Sequence, residues 1–474
     1  MNELARLTFF ALSMASLVLF ATGCNGEHEE SDTPINGEEE NGEEENGGEE
    51  NGGEENGGEE NGEEENGEEE NGEEENGPAG VQGRLESLGG GTVLRLWGEP
   101  GDRGYAEGAL LCEEVTELIE DFVLGHVVRW SGYDYGALRD QVLSQTEYDS
   151  ADLTWMQALI SGIKDHCPAE AIIIESTYLE ADSGGSRELE IEDLVVANTL
   201  ADWACSSFSA WGDATESGSL IHARNLDYIV DAQGTIQRSQ IVKLIHAEDR
   251  SAKYLSVSWP GMLGCISCVA DDASLIMVHD SNGFAPSSTT GLVPRQIAMR
   301  EGLLAAREAS DPVEAAREVL EGLPQYRGNN FHLAATRGNT TYAAVLEYDG
   351  DATHDDGQTT VRTVEDNQGT PQTEDALVCT NHYRKRRAPS SCTRYDGLSD
   401  GLDLAASGDR IDVPAALDLI HTVAFQGTTQ TVHTVILDES TNEVHIHIAR
   451  KPGVPATTVE PLVIDLGTAF DADL

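Results

Sequence analysis

From Glu27 to Gly77 the chain is mostly Asn-Gly-Glu-Glu-Glu repeats with almost no apolar residue, and this tract limits what can fold. Such a run buries too little apolar surface to offset the entropy of ordering, and its like charges repel. Residues 25–78 are therefore expected to form a disordered, extended tether. The tract holds 25 of the 87 acidic residues; with Glu3 and Arg6 also set aside, residues 79–474 carry 61 acidic against 27 basic side chains, a net charge near −34. That balance argues against nucleic acid as a partner and suits a domain kept soluble by surface carboxylates. The residues from 79 onward suffice for one large domain or two small ones. No second linker interrupts them, so one domain is expected.

Residues 1–24 read as a bacterial lipoprotein signal. Arg6 supplies the positive charge, residues 7–20 the apolar core, and Ala21-Thr22-Gly23-Cys24 a small-residue cleavage site ending in cysteine. An uncleaved anchor is the alternative, but the apolar run is short for a membrane span. Cys24 is thus the expected lipidation site, tying the chain to a lipid bilayer. Asn25 does not suggest inner-membrane retention, which points to the outer membrane.

Eight cysteines are present. Setting aside Cys24 and Cys205 leaves Cys112, Cys167, Cys265, Cys268, Cys379 and Cys392, an even number in an exported compartment, with the pairing open. By spacing alone Cys265-Ile266-Ser267-Cys268 is half a zinc site or a redox pair. A zinc ribbon needs a second close pair, so structural thiols or disulfides are expected ahead of metal. His445 and His447 share one strand face without a third ligand. No metal or cofactor is expected.

Apolar periodicity places a strand at 92–97 and a helix over 102–124, with Ala109, Cys112, Val115, Ile119 and Phe122 on one face. Helices are expected at 153–163 and 188–200, then strands at 220–224, 240–247, 253–258 and 275–279. A helix pair follows at 293–309 and 312–320, the second marked by Asp311-Pro312-Val313-Glu314: an N-cap, a proline at the first helical position and a carboxylate in the first turn. Strands return at 332–336 and 341–348, a helix at 414–425, and a closing hairpin at 431–437 and 444–449.

The chemistry centres on Trp203-Ala204-Cys205-Ser206-Ser207-Phe208 followed by His222-Ala223-Arg224-Asn225-Leu226-Asp227-Tyr228. A lone cysteine is more often a buried apolar residue or half a disulfide than a nucleophile. If the Ala204–Cys205 bond is cut, however, Cys205 carries both a thiol and a new α-amine. These groups titrate near about 8.5 and 8, so each is readily biased by a neighbouring charge such as Arg224 or Asp227.

Cys205-Ser206-Ser207, a turn-rich spacer and residues 220–227 together resemble the start of the β-subunit of N-terminal-nucleophile hydrolases, within them the acid ceramidase and isopenicillin N acyltransferase-like families. Residues 97–108, 261–267, 329–333, 380–383 and 434–438 resemble further segments of those families in the same order. The resemblance implies an α+β, four-layer αββα sandwich: one domain built from an α-segment, 79–204, and a β-segment, 205–474, that stay associated after self-cleavage. It implies that Cys205 is the nucleophile in self-cleavage and turnover, that Arg224 favours the thiolate, that Asp227 orients the α-amine, and that the Asn381 amide donates to the oxyanion. The substrate implied is a small-molecule N-acyl amide.

Two departures bear on specificity. Cys268-Val269-Ala270-Asp271-Asp272 stands where related enzymes carry a second asparagine. Arg384-Lys385-Arg386-Arg387 is the one basic cluster of the acidic domain; it reads either as an anion-recognising loop, with Arg387 as the substrate-binding counterpart of a ceramidase-branch arginine, or as a solvated loop. The competing readings are a tethered binding protein of the same fold without turnover, and a zinc-dependent hydrolase.

Overall fold

The computed structural model describes residues 74–75, 80–179, 184–199, 204–247, 253–271, 273–282, 288–387 and 391–470. Cys24, the signal segment and most of the tether lie outside them, as do residues 200–203 just before the expected cut.

The chain is a mixed α/β structure with two large sheets. Numbered along the chain, ten strands form the first sheet in the order β1 (Glu74–Glu75), β2 (Gly83–Leu88), β3 (Gly91–Trp97), β8 (Ile241–His246), β9 (Lys253–Ser258), β10 (Ser267–Ala270), β11 (Leu275–Asn282), β12 (Gly328–Arg337), β13 (Thr340–Tyr348) and β14 (Thr359–Arg362). Six form the second: β15 (Ala376–Thr380), β6 (Ala204–Ala210), β7 (Ile221–Ile229), β16 (Thr429–Asp438), β17 (Glu443–Ile448) and β18 (Leu462–Asp465). A ribbon of β4 (Ile173–Glu175) and β5 (Ser186–Glu188) stands apart. Neighbouring strands in both sheets run antiparallel except β3 and β8, which are parallel.

Period-two alternation sorts the side chains. Val242, Leu244, Val257 and Ile276 of the first sheet pack with Val435, Leu437 and Ile446 of the second in one apolar cluster. The opposite face of the first sheet, with Ile245, Met277 and Leu333, packs on helices α1 (Pro100–Leu110), α3 (Ser150–His166), α4 (Ile191–Thr199), α5 (Arg295–Arg307) and α6 (Pro312–Glu321), α2 (Tyr135–Gln145) lying between the first two in sequence. The opposite face of the second sheet, with Phe208, Ala223, Val378 and Ile436, packs on α7 (Thr393–Ser407) and α8 (Val413–His421).

Most long elements fall where periodicity puts them. The Asp311 cap accepts from the Glu314 amide at 3.1 Å, and Pro312 opens α6. The helix expected over 102–124 is instead three pieces: α1 ends at Leu110, and a short turn, Glu114–Glu117, leads into a π-helix, Leu118–Val128. The break coincides with Cys112, which is disulfide-bonded to Cys167 at the end of α3. Close packing of α1 on α3 depends on absent side chains, since a Cβ at Gly108 would stand 1.9 Å from the Leu159 carbonyl oxygen.

Helix α7 has no counterpart in the sequence reading. Gly397 and Gly401 dilute its helical signal, and packing of Tyr395, Leu398, Leu402 and Ala405 on the second sheet holds it in place. A Cβ at Gly401 would lie 2.3 Å from the Leu419 side chain of α8, which would have to shift to admit one.

Candidate active site

Cys205 is the second residue of β6, and β6 is bracketed by β7 and β15. In the β6–β7 ladder Ala204 faces Asp227, Cys205 faces Leu226 and Ser207 faces Arg224. Arg224 and Asp227 both lie within β7, which runs on to Ile229 instead of ending at 224. Their odd separation sends them to opposite faces of the sheet. Arg224 points between the two sheets beside the thiol, while Asp227 points toward α7. The backbone around the Ala204–Cys205 bond has a guanidinium on one side and a carboxylate on the other.

The thiol end is built around Arg224, which is fully buried. Its Nη2 donates to Cys205 Sγ at 3.1 Å and to the His279 carbonyl at 3.1 Å. Its Nη1 donates to His433 Nε2 at 3.1 Å and to Ser267 Oγ. Among the described residues no carboxylate hydrogen-bonds this guanidinium; its charge acts on the sulfur and, at longer range, on the buried Asp280 and Asp227 carboxyls. Burial pushes the Cys205 thiol up, Arg224 opposes that rise, and Asp280 and Asp227 add to it.

The nitrogen end is built around Asn381, which follows β15. Its Oδ1 accepts from the Cys205 N–H at 3.1 Å and from Arg394 Nη2 at 2.9 Å, and its Nδ2 donates to the Ser281 carbonyl at 2.8 Å. In the continuous chain Asn381 therefore holds the nitrogen of the nucleophile, and its amide donor is engaged with Ser281. Arg394, in the first turn of α7, donates through Nη1 to the Cys205 carbonyl at 2.9 Å and lies 3.5 Å from Asp227 Oδ2. Thr431 Oγ1 donates to Asp227 Oδ1 at 2.5 Å. Burial raises the Asp227 carboxyl to about 6 against the lowering effects of Arg394, Thr431 and Arg224.

Residues of β16 reach both ends because of one irregularity. The register slips between Thr431 and His433, leaving Val432 as an extra residue. Without that bulge Thr431 and His433 would point the same way. With it, Thr431 meets Asp227 on one face and His433 meets Arg224 on the other.

Beneath the nucleophile, β6 continues a buried polar seam. Ser207 Oγ lies 3.2 Å from Asp280 Oδ2 and 2.9 Å from His332 Nδ1, and Ser209 Oγ bridges His332 Nε2 at 3.0 Å and His222 Nδ1 at 2.8 Å.

Cys205, Arg224, Asp227 and Asn381 are thus brought together, and Arg387 is not. Its Nη2 donates to Asp349 at 2.6 Å, while the backbone amides of Arg384, Lys385 and Arg386 fold around the buried Glu347 carboxylate. This loop is a structured turn on Glu347 and Asp349. A second arginine at the nucleophile, Arg394, was missed with α7. Thr431, His433, Ser267 and Asp280 were also missed, because only tertiary pairing places them here. Cys265 and Cys268 form a disulfide, which removes both from metal ligation, while Cys379 is a buried free thiol.

No protein-family model matches the chain. Protein dcd1A of Dictyostelium discoideum is 23% identical over 407 residues, covering 80% of this chain and 86% of that protein. Its compatriot dcd1B is 22% identical over 190 residues, 37% of this chain and 35% of that protein. An uncharacterized protein of Archaeoglobus fulgidus is 24% identical over 293 residues, 57% of this chain and 46% of that protein. Among solved structures, penicillin V acylase from Agrobacterium tumefaciens is 13% identical and covers 55% of this chain and 88% of that chain, at a TM-score of 0.28.

Proposed function

We propose that this chain is a self-processing cysteine amidohydrolase or acyltransferase of the N-terminal-nucleophile kind, acting on a linear N-acyl amide. One observation carries the reading: the Cys205 thiol is hydrogen-bonded to a buried arginine whose other acceptors are neutral, while Asn381 holds the nitrogen of the same residue. The helix, sheet, sheet, helix order of the core supports the four-layer αββα arrangement that such enzymes share.

In self-cleavage the Cys205 sulfur attacks the Ala204 carbonyl carbon. The C–N bond breaks, the thiol proton passes to the departing nitrogen, and a thioester joins the two segments until water releases the Ala204 carboxylate. The freed α-amine stays near Asn381 Oδ1 and Asp227. In turnover it takes the thiol proton, and the thiolate, facing Arg224, attacks the substrate carbonyl. The amine leaves with that proton, and water or an acceptor amine resolves the acyl-thioester. Arg394, holding the Cys205 carbonyl and Asn381, keeps the nucleophile's backbone fixed through both reactions.

The test is intact-mass analysis of the purified full-length protein beside Cys205→Ala. Two fragments, the second beginning at Cys205 and absent from the variant, are the expected result. A folded wild-type protein that stays in one piece refutes self-processing and favours a binding module. We also propose that Cys24 carries the lipid that anchors the protein in the cell envelope.

A further inference from the structure

Arg224 must be aimed. A guanidinium on a flexible stem reaches the sulfur productively only if another part of its fork is fixed. We infer that His433 is the positioning residue that sets the guanidinium of Arg224 against Cys205, and that Gln240 fixes the tautomer in which it does so. This deepens the function proposed above and rests on it.

The hydrogen bonds run in one direction. Gln240 Nε2 donates to the Val432 carbonyl at 2.8 Å, which leaves Gln240 Oε1 turned to His433 Nδ1, also at 2.8 Å. An amide oxygen only accepts, so Nδ1 carries the imidazole proton. His433 Nε2 then presents a lone pair to Arg224 Nη1 at 3.1 Å and to Ser267 Oγ at 2.8 Å. Ser267 completes the clamp and is itself held between the half-cystines Cys265 and Cys268.

A neutral acceptor suits this place better than a carboxylate. It orients the guanidinium without neutralising it, so the charge stays available to the sulfur. The groups facing His433 favour the neutral ring: Arg224 from β7 and His279 from β11 are its titratable neighbours, Gln240 and Ser267 are uncharged, and the Trp259 ring lies 6.1 Å away. Burial first, then Arg224 and His279, holds the imidazole well below its ordinary range.

Two measurements test this. Histidine-selective nitrogen-15 NMR on the full-length, uncut Cys205→Ala protein reads the tautomer directly. The His433 ring is expected to remain neutral, with the proton on Nδ1, between about pH 5 and 8. A ring that titrates in that window, or carries its proton on Nε2, overturns the inference. Self-cleavage is then followed after cell-free synthesis of the full chain. His433→Phe is expected to cut at least about tenfold more slowly, and His433→Gln, whose amide oxygen can accept from Arg224, to recover to within about threefold of wild type.

A folded His433→Phe that cuts at the wild-type rate overturns the inference, as does a His433→Gln that is no faster than the phenylalanine variant. Should His433→Phe not fold, the tautomer measurement decides alone. An uncut wild type is a different signal, refuting self-processing and this inference with it.

Discussion

Arg224→Met removes the guanidinium and keeps a side chain of similar reach. The thiol loses its donor at 3.1 Å while burial continues to push it up. A hydrogen bond to a charged group contributes about 1.5–3 kcal/mol, so self-cleavage should slow by roughly 10- to 150-fold. Stability should fall too, by about 1–3 kcal/mol, because the buried His279 carbonyl loses a donor and the buried Asp280 and Asp227 carboxyls lose a nearby cation. Arg224→Lys should be intermediate, since one ammonium cannot serve the sulfur, Ser267, His433 and the His279 carbonyl in the same geometry. The assay is a gel time course of precursor conversion after synthesis, paired with urea denaturation of each variant in a Cys205→Ala background. A purely structural arginine would lower stability and leave conversion of the folded precursor unchanged. A folded Arg224→Met precursor that converts at the wild-type rate would refute the reasoning.

The Asp227 carboxyl, raised by burial from its ordinary 3.8 to about 6, gives a signed pH dependence. Because its folded value lies above the unfolded one, its contribution to stability is full below about 4 and is lost as pH rises through about 6. Conversion, which uses the ionised form to hold Arg394 and the nascent amine, should rise over the same interval, and Asp227→Asn should flatten that limb of the pH–rate profile. Lys243 Nζ donates to Glu107 at 2.6 Å, both side chains nearly unexposed. Lys243→Met should therefore cost about 3–5 kcal/mol in urea unfolding, and a loss below about 1 kcal/mol would show that Trp155 and the Gly261 amide suffice for the Glu107 carboxylate. Gly108→Ala, which sets a methyl against the Leu159 carbonyl, should destabilise by about 1–3 kcal/mol in the same assay. Wild-type protein should partition into a Triton X-114 phase and Cys24→Ser into the aqueous phase; equal partitioning removes the anchor.

What the sequence discloses of the site is what the chain keeps close together. Cys205, Arg224 and Asp227 sit on two adjoining strands of one hairpin, so their spacing is a local signal. Asn381 was legible through a short polar motif at the end of a strand. His433, Thr431 and Ser267 carry no such signal, since their positions depend on a bulge in β16 and on the facing of two sheets. Arg387 stands in a conspicuous basic run, whereas Arg394 lies in the first turn of a helix whose signal Gly397 and Gly401 dilute. The long elements were visible because their apolar faces repeat. The π-helix was not, because the spacing of Val115, Ile119 and Phe122 suits an ordinary α-helix.

The parallel pairing of β3 with β8 joins a strand that precedes Cys205 to one that follows it. While the chain is whole, that pairing closes a loop, whose entropic cost grows only slowly with length. After a cut at Cys205 the same contact would lie between two molecules, and forming it would depend on how many of each are present. The precursor would then be the only form that folds as a unimolecular reaction. The mature protein would persist by the slowness with which it comes apart rather than by any ready return, so a cut sample unfolded in denaturant should regain structure more poorly the more it is diluted.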